Sequence, residues 1–104
     1  RGTPAALRLL ADLRWEAGDR NGAILLWHRA AELRPWQAQA HHDLGFGLHA
    51  TGASQQALSH LERAIEIAPD SLSYYPWVLS ALETLGQSGK AAELRRRVGM
   101  KRGD

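Results

Sequence analysis

Apolar and polar residues alternate along the chain with the period of amphipathic helices. Leu10 and Ala11 follow Leu7 by three and four residues, and Trp27 follows Ala23 by four. This spacing places each group on one face of its own helix. Glycine and proline, which commonly end helices, interrupt the pattern at Gly18, Pro35, Gly52, Pro69 and Gly86. The pattern predicts six helices, at about residues 4–17, 20–34, 38–51, 54–68, 73–85 and 88–98.

Three of the predicted helices begin beside residues that can cap them. Thr3 precedes Pro4, and proline is favoured in the first turn of a helix. Asp19 and Ser54 stand at the starts of the second and fourth helices. A side-chain oxygen at such a position accepts a hydrogen bond from a free backbone N–H group, so all three residues are predicted caps.

The predicted helices come in pairs that repeat every 34 residues. Three glycines, three alanines and two prolines keep this spacing: Gly18, Gly52 and Gly86; Ala23, Ala57 and Ala91; Pro35 and Pro69. A fixed period of this length is typical of solenoids, in which each helical unit covers the hydrophobic face of its neighbour. Residues 38–71 keep the pattern most completely.

The recurring residues resemble the tetratricopeptide repeat (TPR), in which W-x2-L-G-x2-Y and A-x3-F stretches are followed by a proline. The matching residues of the second unit are His41, Leu44, Gly45, Leu48, Ala57, Leu61 and Pro69. The resemblance covers about residues 4–98. It implies an all-α fold, a right-handed superhelical solenoid of about three helix-turn-helix repeats. It also implies a single domain over residues 1–104, with repeats at about 4–37, 38–71 and 72–104.

The third repeat is degenerate. Ala11 and Gly45 fill the small-residue slot at which the two helices of a repeat cross closely, but the third repeat has Leu79 there. Arg95 replaces the large apolar residue of the other two second helices. Terminal repeats of solenoids are commonly atypical because one of their faces meets water, so we interpret Arg95 as a solvent-facing residue.

Composition excludes several functional classes. The chain of 104 residues has no cysteine and a formal net charge of +2, so it has neither disulfides nor thiolate metal ligands. No run of 18 apolar residues occurs that would span a membrane, and no signal peptide is visible. No nucleophile elbow, phosphate loop or metalloprotease helix occurs either. We predict no enzymatic activity, no metal site and no cofactor, while the localisation stays open.

The resemblance places a concave binding groove along the first helix of each repeat. The side chains implied there are Arg8, Leu9, Asp12 and Trp15; Gln39, His42, Asp43, Phe46 and His49; and Trp77, Ser80 and Glu83. Nine of them repeat at 34-residue spacing, which predicts three rows across the groove. The aromatic members either anchor a ligand or pack against their neighbours, and both interpretations stay open.

Carboxylates outnumber arginine in this predicted groove. Its acidic side chains are Asp12, Glu16, Asp43 and Glu83, against Arg8, which predicts a partner segment with lysine or arginine beside an apolar residue. Protonated histidines would repel such a segment, so we expect its affinity to fall below about pH 6. The TPR variant that clamps the C-terminal carboxylate of a chaperone is disfavoured, because two aspartates would repel that carboxylate.

We predict a non-catalytic protein–protein interaction module that binds a peptide or protein segment in this groove. Two alternatives stay open. One is an accessory TPR domain of a larger enzyme of the glycosyltransferase, sulfotransferase or hydroxylase type; the other is a self-assembling scaffold. The first agrees with a chain that begins at Arg1 rather than methionine, as expected of a piece of a longer protein.

The C-terminal segment raises two further expectations. No aromatic residue is interleaved with its basic residues, so no nucleic-acid partner is expected. Leu94, Val98 and Met100 are apolar, and no later helix is predicted to cover them. They predict contact with a further helix, or a homo-oligomer formed through the C-terminal repeat.

Overall fold

The computed structural model describes residues 3–99 and shows an elongated stack of helices, 43 × 25 × 21 Å in extent. The helices are α1 (Pro4–Glu16), α2 (Arg20–Leu33), α3 (Ala38–Ala50), α4 (Ser54–Ile67), α5 (Tyr75–Thr84) and α6 (Ser88–Arg97), with a 3-10 turn at Leu72–Tyr74. No strand occurs within the described residues. Each predicted helix is present with bounds within two residues of the prediction, and the all-α solenoid fold is confirmed.

Capping hydrogen bonds fix where the first two helices begin. Thr3 Oγ1 accepts the backbone N–H of Ala6 at 3.1 Å, and Asp19 Oδ1 accepts that of Gly22 at 3.0 Å. The prediction that Ser54 caps α4 is wrong. This serine lies inside α4 as its first residue, and its hydroxyl bonds to a histidine instead of a backbone N–H group.

Two clusters of buried side chains form a continuous core along the stack. The first joins α1, α2 and α3 through Trp27, Leu44 and four alanines. The second joins α4, α5 and α6 and includes the fully buried Leu61 and Val78. Leu48 packs against both clusters, so the core has no break between the first and last helix pairs.

The close crossing of α3 and α4 depends on Gly45. A Cβ atom at this position would lie 2.6 Å from Cδ2 and Cγ of Leu61, which is too short for any real contact. In the first repeat Ala11 stands at the same slot and is fully buried. The predicted role of the small residue, to let two helices approach closely, is confirmed in the second repeat.

The two ends of the stack differ from the sequence prediction. Leu94 is 6% exposed and Val98 is partly buried, because both pack on the cluster of α4, α5 and α6. The expectation of an uncovered apolar C-terminal face is therefore wrong for these two residues, and Met100 lies outside the described residues. Exposed leucines occur at the N-terminal end instead, where Leu10 and Leu13 of α1 reach solvent.

Candidate functional site

Three aromatic side chains form a continuous ladder across the first helices. The ring centroids of Trp15 and Phe46 lie 5.2 Å apart, and those of Phe46 and Trp77 lie 5.1 Å apart. All three side chains are partly buried, so part of each ring is open to solvent. We call the surface formed by α1, α3 and α5, which carries this ladder, the first-helix face.

The ladder runs diagonally over the first-helix face. Its contacts join residues that are 31 positions apart in the sequence, about one helical turn short of the 34-residue period. The predicted rows at 34-residue spacing therefore do not describe these contacts. Trp15 and Phe46 each contact a ring about one turn before their own equivalent in the next repeat.

Two residues outside the first helices take part in the ladder. The ring of Trp27 on α2 lies 5.5 Å from that of Trp15 and 6.1 Å from that of Phe46, and its side chain is 4% exposed. The guanidinium carbon of Arg20 lies 4.7 Å from the centroid of the Trp15 ring, a cation–π distance. Sequence reasoning missed both residues because it assigned the site to first helices only.

A chain of polar contacts links the three repeats on the same face. Asp43 accepts hydrogen bonds from Arg8 Nε and from Gln39 Nε2, each at 2.8 Å. Gln39 Oε1 in turn accepts the Tyr74 hydroxyl at 3.1 Å. The network therefore connects α1, α3 and the start of α5. Tyr74 was not among the predicted residues, and its equivalent in the second repeat is the small core residue Ala40.

Burial shifts the pKa of two side chains in this region. The Asp43 side chain is 12% exposed, and burial raises its pKa although the contacts with Gln39 and Arg8 oppose the rise. Burial also lowers the pKa of His42, whose ring lies 4.7 Å from that of Tyr74. The Nδ1 atom of His42 is buried and has no hydrogen-bond partner within residues 3–99. A charge on this ring is therefore costly.

His49 is held by two serines. Its Nδ1 lies 2.8 Å from the Ser54 hydroxyl, and its Nε2 lies 2.9 Å from the Ser80 hydroxyl. In the neutral ring one nitrogen donates to a serine and the other accepts from one. His49 thus bridges α3 to α4 and α5, and both of its nitrogens are occupied.

Three further predicted residues are exposed. Leu9 and Asp12 lie on the solvent side of α1. Glu83 forms an ion pair with Arg95 of α6, so its carboxylate is directed to the second helix of its own repeat. The sequence interpretation of Arg95 as solvent-facing holds only in part, because this residue is partly exposed. Its ion pair with Glu83 connects α6 to the end of α5.

Ion pairing changes the charge of the first-helix face from the sequence expectation. Arg8 pairs with Asp43, and Glu83 pairs with an arginine of α6. Asp12 and Glu16 are exposed, and neither has an ion-pair partner in the part of the chain that the structure describes. The acidic character of the face is therefore confined to α1.

Other features lie away from this face. An open cavity of about 470 Å³ lies between α4, α5 and α6, lined by apolar residues such as Ile65 and Leu82 and by charged residues such as Glu62 and Lys90. No group of three or more His, Asp or Glu side chains among residues 3–99 could hold a metal ion. Over the same range, every helix is too short or too polar to cross a membrane.

Solved structures share this arrangement of helices. MamA superposes with a TM-score of 0.81 at 24% identity, over 88% of this chain and 53% of its own. Yeast Sti1, in a complex of its TPR2B domain with pHsp70, superposes with a TM-score of 0.81 at 18% identity, over 86% of this chain and 72% of that chain. A Thermobaculum terrenum O-GlcNAc transferase mutant matches with a TM-score of 0.71 at 34% identity, over 76% of this chain and 15% of the enzyme.

Comparison of sequences alone adds nothing to these structural matches. No protein-family model matches the sequence, and no curated protein matches it either. The chain spans about half the length of the MamA chains that it resembles. Because the paired helices, the 34-residue period and the superpositions agree, the chain has the tetratricopeptide-repeat fold.

Proposed function

We propose that this chain is a non-catalytic protein-interaction module that binds a peptide segment across its first-helix face. The ladder of Trp15, Phe46 and Trp77 carries the proposal, because it reaches all three repeats and leaves part of each ring open. Aromatic side chains supply large contact areas at a low cost in conformational entropy and dominate many interfaces. The proposal takes residues 1–104 as one domain of three repeats.

The charges beside the ladder favour a ligand with cationic and apolar side chains. Asp12, an exposed carboxylate, lies one helical turn from Trp15, and Glu16 lies one turn beyond Asp12 on the same side of α1. A lysine or arginine of the partner would meet these carboxylates while a neighbouring apolar residue packs on the rings of Phe46 and Trp77, since Arg20 already contacts the ring of Trp15. Charge complementarity of this kind chiefly raises the association rate and the specificity.

The pH dependence of binding should be weaker than the sequence predicted. Burial lowers the pKa of His42, so this ring gains its charge only at a lower pH than an exposed histidine would. The part of the face around His42 therefore gains little positive charge as the pH falls from 7 to about 6. We expect the affinity for a basic peptide to stay level over that interval and to decrease at lower pH, when His42 becomes protonated.

The same fold in a protein complex supports a protein ligand. The TPR2B domain of Sti1 is solved with pHsp70, so a chain with this arrangement of helices can bind a protein segment. The similarity to the O-GlcNAc transferase covers a small part of that enzyme and does not carry its activity to this chain. We therefore propose binding, without catalysis.

Peptide titrations with matched variants test the proposal. Peptides that carry lysine or arginine beside leucine or phenylalanine, and acidic counterparts, are titrated by calorimetry at low and physiological salt. Trp77→Leu removes one ring of the ladder but keeps an apolar side chain. Trp36→Leu is the control, because Trp36 is 67% exposed in the connection between α2 and α3. Asp12→Asn combined with Glu16→Gln removes the exposed charges.

We expect Trp77→Leu to weaken binding by about tenfold or more, as for an aromatic anchor, and Trp36→Leu to leave it unchanged. The charge variant should bind more slowly and with less dependence on salt. Equal affinities for all variants, or a preference for acidic peptides, would contradict the proposal. Circular dichroism of each variant shows whether its helices are intact.

A further inference from the structure

The outward side of α1 carries leucines at positions that are buried in the other repeats. Leu10 is 40% exposed, whereas its equivalents at 34-residue spacing, Leu44 and Val78, are each 1% exposed. Leu13 is 56% exposed, whereas its equivalent Ala81 is fully buried. The first repeat therefore has apolar residues at core positions that nothing within residues 3–99 covers.

In the second and third repeats, the preceding second helix covers these positions. A Cβ atom at Gly47, the equivalent of Leu13 in α3, would lie 2.9 Å from Trp27 and 3.0 Å from Ile24 of α2. The equivalent side of α5 belongs to the cluster that contains the buried side chains of α4. An interface between a first helix and the preceding second helix thus occurs twice within the chain.

The opposite end of the stack does not offer a matching surface. The α6 residues equivalent to Ile24 and Trp27 are Ala92 and Arg95. Arg95 is paired with Glu83, and its charge would be buried if α6 covered the leucines of another copy. Burying an ion pair removes both charges from water, a cost that their mutual attraction often does not offset, so head-to-tail association of this chain does not suit the α1 surface.

We propose that the outward side of α1 is an inter-repeat interface whose occupant is the second helix of a further repeat. This helix packs on Leu10 and Leu13 as α2 packs on α3, and it continues an interface that the stack already contains twice. The site is separate from the ladder of the first-helix face, so it does not depend on the proposed peptide binding.

Residue sizes define the occupant further. Where the first helix has Gly47, the preceding second helix has the large Trp27 against it. Where the first helix has Ala81, the residue equivalent to Trp27 is the smaller Leu61, which belongs to the same buried cluster as Ala81. Leu13 is larger than either first-helix residue. Because interfaces between packed helices are filled without voids or overlaps, the occupant carries a residue smaller than leucine at this position.

A chain with one added repeat tests the proposal. A copy of residues 38–71 is joined directly to Pro4, since positions 4, 38 and 72 are equivalent and the 34-residue period is kept. A second version also carries Leu13→Ala, which reproduces the size of Ala81 against the same helix. Urea denaturation gives the unfolding free energy of the parent and of both four-repeat chains, and light scattering gives their oligomeric states.

Leu10→Ala reports on the new interface. We expect its loss of unfolding free energy to be at least about twice as large in a four-repeat chain as in the parent, because the leucine becomes fully buried there. Leu25→Ala is the control, since Leu25 is 72% exposed and its equivalents are Ser59 and Glu93. Its effect should be the same in every chain.

Three results would overturn the proposal. The first is an equal cost of Leu10→Ala in all chains, and the second is a failure of both four-repeat chains to gain helix content. The third is a parent chain that is dimeric and becomes monomeric on Leu10→Ala, because that result would assign the surface to a second copy of this chain.

Discussion

The second and third repeats place the leucine of their helix crossings on opposite helices. In the second repeat Gly45 lets α3 approach α4, and Leu61 of α4 fills the crossing. In the third repeat the first helix carries the leucine, Leu79, and the second helix carries Arg95. Leu61 is fully buried and Leu79 is 6% exposed. The crossing leucine therefore lies on the second helix in one repeat and on the first helix in the other, and neither position has a fixed size by itself.

This exchange also changes the outward side of the last helix. With the leucine on α5, α6 is free to carry Arg95, whose guanidinium pairs with Glu83. The aliphatic part of an arginine can cover apolar surface while its charge stays near water. The outward side of α6 in the third repeat is therefore polar, whereas the equivalent side of α4 in the second repeat is apolar and packs on α5.

Enlarging the small residue of the second repeat should give the largest effect. Gly45→Leu places atoms where Leu61 already lies, so we expect a loss of about 3 kcal/mol or more in unfolding free energy. Leu79→Ala makes the opposite change in the third repeat and should cost about 2–4 kcal/mol through the cavity that it leaves. Urea denaturation measures both losses.

Gly89→Leu is the matched control for the glycine variant. Gly89 lies in α6, and a Cβ atom there would meet no atom within 4 Å. We expect no loss of stability and a gain of up to about 1 kcal/mol from the higher helix propensity of leucine. Similar stability changes for the two glycine variants would contradict the interpretation that the crossing at Gly45 is sterically closed.

The same two repeats differ in the side chain that binds the connection before the first helix. In the second repeat His41 donates from Nε2 to the Pro35 carbonyl at 2.8 Å. In the third repeat the equivalent residue, Tyr75, donates its hydroxyl to the Pro69 carbonyl at 2.6 Å. The contact is the same in both repeats, but the second repeat makes it with an imidazole ring and the third with a phenol hydroxyl.

The neighbour of this side chain differs in the same way. His60 Nδ1 lies 3.5 Å from His41 Nδ1, and the pKa of His60 is lowered by burial and, to a smaller extent, by the positive charges of His41 and His28. In the third repeat the equivalent of His60 is the buried Leu94. A fall in pH should therefore destabilise the second repeat at His60, whereas the third repeat has the non-titratable Leu94 at the equivalent position.

Transplanting the third-repeat pair should remove this sensitivity. Because the pKa of His60 is lowered in the fold, its stabilising contribution is present above the unfolded value of about 6.5 and is lost as the pH falls through the lowered value. His41→Tyr combined with His60→Leu should gain about 1 kcal/mol at pH 5, after allowance for solvent screening, and less at pH 8. Denaturation at both pH values measures the gain, and equal gains would indicate packing without a protonation effect.

The architecture could be predicted from the sequence because helix ends depend on single residue types. Gly18, Gly52 and Gly86 have φ angles of 93°, 96° and 76°, a conformation that glycine adopts most readily. Their 34-residue spacing therefore reveals where each first helix stops. The crossing at Gly45 was also predictable from a single residue type, because only a small residue fits between the two helices there.

The candidate site could be predicted only as a set of residues, without its contacts. The hydrogen-bonded pairs across the first-helix face are 31 or 35 residues apart, and these separations depend on how whole helices stack, which no local pattern encodes. The pairing of Glu83 with Arg95 crosses between helices in the same way. The burial of Leu94 was missed because a terminal helix also packs inward on its own repeat.

A first-helix position that differs in all three repeats should give the smallest effect. Leu9, Asp43 and Trp77 are equivalent, and only the second repeat has a carboxylate there. Burial raises the pKa of Asp43. The stability that this carboxyl contributes is therefore present below the unfolded value of about 3.8 and is lost as the pH rises through the raised value.

Asp43→Asn should therefore stabilise the chain at pH 7 by at most about 1 kcal/mol, because it removes a buried charge and loses only the ion pair with the half-exposed Arg8. At pH 3, where the aspartic acid is protonated, the two chains should be equally stable. Arg8→Gln should lower the stability at pH 7, since it leaves the buried carboxylate without its cation. A loss of stability in Asp43→Asn at pH 7 would mean that the ion pair outweighs burial, and that the second repeat gains from its charge where the other two use apolar residues.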